Sequence, residues 1–241
     1  MSSEFKLEDV DVDGAIQEMA HDATESMDEG DTRRGVIKKA GLAGGALMSG
    51  GALMSLLAPE LAVAAGGGRP PASFGKGDIG ILNYALTLEY LEAAFYNEAT
   101  AANKSRKFLK DAKEKAFLKA TTRDENAHVR YLKKALGSKA VARPKFDFKG
   151  TTRSRKKFID TAYVLENTGV HAYSGQVLNI KDPKVVGAAA SILTVEARHA
   201  SVIGVIMSAT PKGISPDGPF DVPFTANKVL KAVKGTGFIV G

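Results

Sequence analysis

Asp124-Glu125-Asn126-Ala127-His128 and Val195-Glu196-Ala197-Arg198-His199 carry the same Glu-x-x-His spacing at two places in the chain. On a helix of 3.6 residues per turn, positions i and i+3 lie about 60° apart and one turn up, so each glutamate faces the same way as its histidine. Upstream of each pair stands a further glutamate with a tyrosine seven residues on. Leu88-Glu89 precedes Tyr96, and Leu165-Glu166 precedes Tyr173. The order Glu, Glu-x-x-His, Glu, Glu-x-x-His is that of a duplicated helical hairpin.

Apolar residues recur every three or four positions from Gly77 to about Ala209, and strand-like alternation is scarce. The pattern predicts helices over about 79–102, 106–136, 153–179 and 183–209. Gly137 stops the second, Pro183 suits the first turn of the fourth, and Pro211 forbids much continuation. The first and third connections are short, whereas 137–152, with Pro144, is long. Short links make antiparallel neighbours, so the expected fold is an all-α four-helix bundle with one long crossover between its second and third helices. Segment 210–241 reads as an irregular C-terminal extension.

Within such a bundle Glu89, Glu125, Glu166 and Glu196 with His128 and His199 can converge on the interior. Four buried unpaired carboxylates are too costly to persist, and two divalent metals would supply the missing positive charge. Leu86, Leu88 and Leu91 around Glu89, and Ile192, Leu193 and Val195 ahead of Glu196, place these acids in apolar surroundings. No cysteine is present, which excludes disulfides, thiolate zinc sites and cysteine-ligated clusters. Oxygen and imidazole ligands suit iron or manganese, although affinity order alone also admits copper and zinc. Glu92, three residues after Glu89, reads as an exposed or outlying glutamate, with an extra ligand as the alternative. Tyr96 and Tyr173 read as core packing, with hydrogen bonding to the site or radical relay as the alternative. His171 lies about 140° round the helix from Glu166 and reads as a surface or inter-helix residue.

Leu88-Glu89-Tyr90-Leu91-Glu92-Ala93, Asp124-Glu125-Asn126-Ala127-His128-Val129 and Val195-Glu196-Ala197-Arg198-His199-Ala200 resemble the ferritin-like domain family. That family includes exported bacterial ferritin-like proteins and plant desiccation-related proteins. The resemblance covers 77–209 and implies a ferritin-like bundle with a di-iron or di-manganese site. It implies no settled reaction, because one fold hosts many chemistries.

The N-terminal part reads as an address. Residues 1–31 hold eleven Asp or Glu against one Lys, and Thr32-Arg33-Arg34-Gly35-Val36-Ile37-Lys38-Lys39 has the form of a twin-arginine signal. Segment 40–58 is uncharged and rich in Gly, Ala, Leu and Met, and Ala62-Val63-Ala64 is a small-x-small cleavage site. The expected division is 1–64 acidic extension and signal, 65–76 linker, 77–209 bundle and 210–241 extension. A membrane anchor retained at 40–58 is the alternative, weakened by its five glycines. His21 belongs to the leader and takes no role in the mature protein. From residue 65 onward 28 Lys or Arg face 15 Asp or Glu, a basic balance that reads as a solvated face, so no specific nucleic-acid partner is expected.

The expected function is an exported di-metal protein, redox-active toward peroxide or oxygen in the manner of a catalase or ferroxidase. Its partners would be a small-molecule oxidant or metal ions, and the export machinery. The alternatives are a stress or envelope protein braced by its metals, and iron storage, which requires a homo-oligomeric cage.

Overall fold

Asp111, Ser154 and Asp182 each open a long helix by accepting a backbone N–H two or three residues on, from Lys113 at 2.7 Å, Lys157 at 3.4 Å and Lys184 at 2.8 Å. The four long helices they help to define are α1 (Gly77–Arg106), α2 (Ala112–Leu136), α3 (Arg155–Val177) and α4 (Pro183–Met207). Two shorter ones follow, α5 (Pro211–Ile214) and α6 (Ala226–Thr236). The computed structural model describes residues 68–208 and 210–240. The acidic extension, the signal, the 40–58 anchor alternative and His21 lie outside the described residues. Among the described residues there is no strand, only an isolated antiparallel bridge between Phe146 and Ile239. The fold is therefore an all-α helical bundle, as the periodicity predicts.

α1 packs principally on α2, and α3 on α4, as two hairpins. Asp78 ties the hairpins at one end, its carboxylate accepting the N–H groups of Lys181 and Asp182 just ahead of α4. The long crossover is pinned by Asn83 of α1, which is buried, donates to the Lys139 carbonyl and accepts from Val141 N, both at 2.9 Å. A polar side chain there is retained because the crossover backbone satisfies it.

The second helix starts at Ala112 rather than at 106. Lys107 adopts the left-handed conformation that ends α1, and Asn103 Oδ1 accepts Leu109 N–H while the Leu109 side chain is fully buried. Turning the chain there buries Leu109, which continuing a helix would not.

The expectation of an irregular 210–241 is also corrected. α6 buries Ala226, Val229 and Val233 against the core, and Thr225 caps it through Lys228 N–H. Its polar residues hide a short apolar stripe that composition alone obscures. The approach to α6 crosses α3 so closely that a Cβ at Gly175 would lie 1.8 Å from the Phe224 carbonyl oxygen. The last part of the linker joins the same region, since Gly68 O accepts from both Ala226 N and Gln176 Nε2.

Two apolar clusters fill the bundle. One contains Phe95, Tyr96, Phe117, Phe158 and Ile203, the other Leu82, Leu86, Leu132, Tyr173 and Ile192. On α2 and α4 the site glutamate lies between residues that join one cluster and residues that join the other. Each fully buried Leu or Phe contributes about 1.5–3 kcal/mol, so the polar layer is held by apolar packing on both sides. α4 is long and apolar enough to cross a membrane by length and composition alone. It carries Glu196 and His199 into the bundle, as a core helix does.

Candidate metal centre

Glu89 on α1, Glu125 on α2, Glu166 on α3 and Glu196 on α4 all have zero exposure. His128 and His199 are buried beside them. His128 Nδ1 lies 3.2 Å from Glu89 Oε2, 3.2 Å from Glu125 Oε2 and 3.3 Å from Glu196 Oε1. His199 Nδ1 lies 3.0 Å from Glu125 Oε1 and 3.3 Å from Glu166 Oε2. The structure thus brings all six sequence-predicted residues together. They form two overlapping groups that could each hold a metal ion: Glu89, Glu125, His128 and Glu196, and Glu125, Glu166, Glu196 and His199. Glu125 and Glu196 belong to both.

The chemistry of this donor set fits cations. One imidazole nitrogen carries one proton or one lone pair, and cannot satisfy three surrounding carboxylates. Glu125 Oε1, Glu166 Oε2, both oxygens of Glu196 and His199 Nδ1 are buried with no aligned hydrogen-bond partner. Buried polar atoms normally find partners, and a cluster of orphans aimed at one another marks a place for a positive charge.

Titration behaviour follows from the same crowding. Burial raises the Glu125 carboxyl, hydrogen bonds to His128 and His199 hold it back, and it settles at about 7. Burial and the neighbouring carboxylates push Glu196 well up. For His199, burial works downward but bonds to Glu125 and Glu166 prevail and carry it up to about 11, and His128 is raised in the same way.

Glu92 is neither exposed nor in either group. It is buried, and desolvation followed by repulsion from Glu196, Glu125, Glu166 and Glu89 pushes its carboxyl well up. Its room comes from Gly169, whose added Cβ would stand 3.4 Å from Glu92 Oε1 and 2.7 Å from Glu196 Oε2. In the duplicated hairpin Gly169 occupies the position after Glu166 that Glu92 occupies after Glu89, a correspondence visible in the sequence but informative only once α1 and α3 face each other.

Tyr96 and Tyr173 do more than pack. Tyr173 donates to Glu89 Oε1, and Tyr96 to Glu166 Oε1. Each tyrosine bonds the glutamate of the other hairpin, so sequence spacing within one helix could not reveal the pairing. His171 is half of a different contact, stacked on Phe224 at 4.1 Å with Nδ1 donating to the Val222 carbonyl at 2.7 Å. Sequence reasoning passed over Asp124, whose Oδ2 lies 3.3 Å from His199 Nε2 while Arg123 bonds its carboxylate at 2.6 and 2.9 Å. Its adjacency to Glu125 was the available signal.

Comparison of the chain with curated proteins finds no match. A sequence model described as "Ferritin-like domain" matches residues 77–209, the span that contains all four long helices and all six clustered residues. With more than half of its length matched and a helical bundle built around a buried glutamate–histidine cluster, this chain belongs to the ferritin-like domain family.

Proposed function

We propose that the chain is a di-metal carboxylate protein that holds two iron or manganese ions and reacts with peroxide or oxygen. The observation that carries this reading is the closed cluster of four fully buried glutamates with two inward-facing Nδ1 atoms. Glu89 with His128, and Glu166 with His199, would each serve one ion, and Glu125 and Glu196 would serve both. Such ions supply reversible one-electron chemistry to a bound oxidant. The chain's own residues provide the rest. Tyr96 and Tyr173 hold Glu166 and Glu89 in place, and Asp124 holds the outer nitrogen of His199. The apolar clusters exclude bulk water from both sides of the carboxylates. An apolar groove of about 640 Å³, bordered by Phe117, Val202, Val205 and Ile214, reaches the His199 ring and gives small neutral molecules an approach.

The complete enclosure of the carboxylates also favours a second reading, in which the ions brace the bundle and do no chemistry. Elemental analysis of the purified protein, followed by a peroxide-consumption assay, separates the two. Bound redox metal with turnover supports the first reading, and bound metal with no turnover supports the second. A protein that binds no divalent metal under any loading condition would remove both.

The Arg33-Arg34 pair, the uncharged 40–58 and Ala62-Val63-Ala64 support twin-arginine export to the periplasm, envelope or exterior. Because that route carries folded proteins, the metals would be selected before crossing.

A further inference from the structure

The two hairpins superpose their chemistry position by position: Glu89 with Glu166, Tyr96 with Tyr173, Glu125 with Glu196, and His128 with His199. Beside these matched residues, two carboxylates of the first hairpin have no counterpart in the second. Asp124, just before Glu125, corresponds to Val195, just before Glu196, and Glu92 corresponds to Gly169. Each departure puts a carboxylate in the first hairpin where the second has none.

Of these two carboxylates, Asp124 touches one half of the site alone. Asp124 Oδ2 lies 3.3 Å from His199 Nε2, and Arg123 grips the same carboxylate from outside. With Nε2 donating its proton to Asp124, the ring can meet a metal only through Nδ1, which faces Glu125 and Glu166 and sheds its own proton when a metal takes that place. His128 also turns Nδ1 inward, but among the described residues its Nε2 has no hydrogen-bond partner. Val195 offers no acceptor. Glu92 meanwhile leans toward α3, one turn along from Glu166, where Gly169 leaves the space.

We propose, resting on the di-metal reading above, that the two metal positions are unequal by construction. The position served by Glu166 and His199 fills first, because Asp124 fixes the tautomer and orientation of His199 while no described residue does so for His128. A carboxylate behind a ligating histidine changes metal affinity by about 10–100-fold. Asp124 is thus a positioning residue, acting on the metal only through His199.

The test uses the full chain freed of metal with a chelator and titrated with manganese(II), read by calorimetry and by loss of the free-ion EPR signal. Glu89→Gln and Glu166→Gln each disable one position and leave the other to be measured alone. The ion retained by E89Q should bind about 10–100-fold more tightly than the ion retained by E166Q. Asp124→Ala should weaken the E89Q ion by a similar factor and leave the E166Q ion unchanged. Asp124→Asn, which keeps an acceptor without the charge, should fall between. Melting curves of all variants serve as the check on folding, since the Asp124 side chain is partly exposed and its loss opens no apolar core. Equal affinities in E89Q and E166Q, or an Asp124→Ala effect of the same size in both, would overturn the inequality and leave the di-metal reading standing. No binding by the unmodified chain would overturn both.

Discussion

The Tyr173 hydroxyl, on α3, donates at 2.5 Å to Oε1 of Glu89, on α1. Tyr96 returns the same bond from α1 to Glu166 on α3. Burial, then the adjacent glutamates, push both phenols well above their usual range, so both remain donors through neutral pH. Each bond is the sort that stabilises most, a donor to a buried carboxylate. Tyr96→Phe and Tyr173→Phe should each cost about 1.5–3 kcal/mol in urea denaturation of the metal-free protein. The double variant should depart from the sum, because both bonds enter one carboxylate network.

Removing an imidazole partner of the carboxylates should differ from removing a histidine elsewhere. His128→Ala and His199→Ala should each lower bound metal after loading and desalting. His171→Ala should leave metal content unchanged and instead loosen the 217–226 segment, which it holds through Val222 and Phe224. Metal analysis and limited proteolysis read the two effects separately, and equal metal loss in all three would contradict the assignment.

The metal-free protein should lose stability as pH rises. Glu125 keeps its proton in the fold up to about 7 but releases it near 4.5 when unfolded, so its penalty grows between those values. His199 keeps its proton to about 11 against 6.5 unfolded, so its contribution is complete below 6.5 and fades above. Both act in one direction. Metal reverses the trend, since ligands must shed protons to bind it. Scanning calorimetry at pH 5.5, 7 and 8.5 should show a falling apo melting temperature and a manganese-induced rise that grows with pH.

Gly169→Ala should weaken metal binding without unfolding the chain. Its Cβ would press on a carboxylate end, Glu196 Oε2 at 2.7 Å, which can swing aside only by leaving the cluster. Gly175→Ala sets a Cβ against a fixed backbone carbonyl at 1.8 Å and should cost mainly stability. Parallel manganese titration and thermal melting of the two variants check the contrast.

Replacement of Arg33 and Arg34 by Lys should leave uncleaved, metal-loaded protein in the cytoplasm, while the unmodified protein is recovered outside it beginning near Ala65. Fractionation with N-terminal sequencing reads the outcome. Undiminished export of the double-Lys form would favour the retained anchor or a cytoplasmic protein.

Much of this molecule was legible in the chain because helices announce themselves locally. Apolar recurrence marked four of them, Gly137 and Pro183 marked ends, and a three-residue spacing put Glu125 with His128 and Glu196 with His199 on common faces. The sequence by itself determined the all-α class, the hairpin duplication and which six side chains share an interior layer. What only the tertiary structure decided are the relations between helices. The turn at Lys107, made to bury Leu109, and the docking of α6 through Val229 and Val233 depend on a core that exists only after packing. The reciprocal bonds of Tyr96 and Tyr173, the space that Gly169 cedes to Glu92, and the reach of Asp124 to His199 all join residues from different helices. Periodicity fixes the face on which a side chain lies, but the atom it meets is set by the angle and register at which two helices pack.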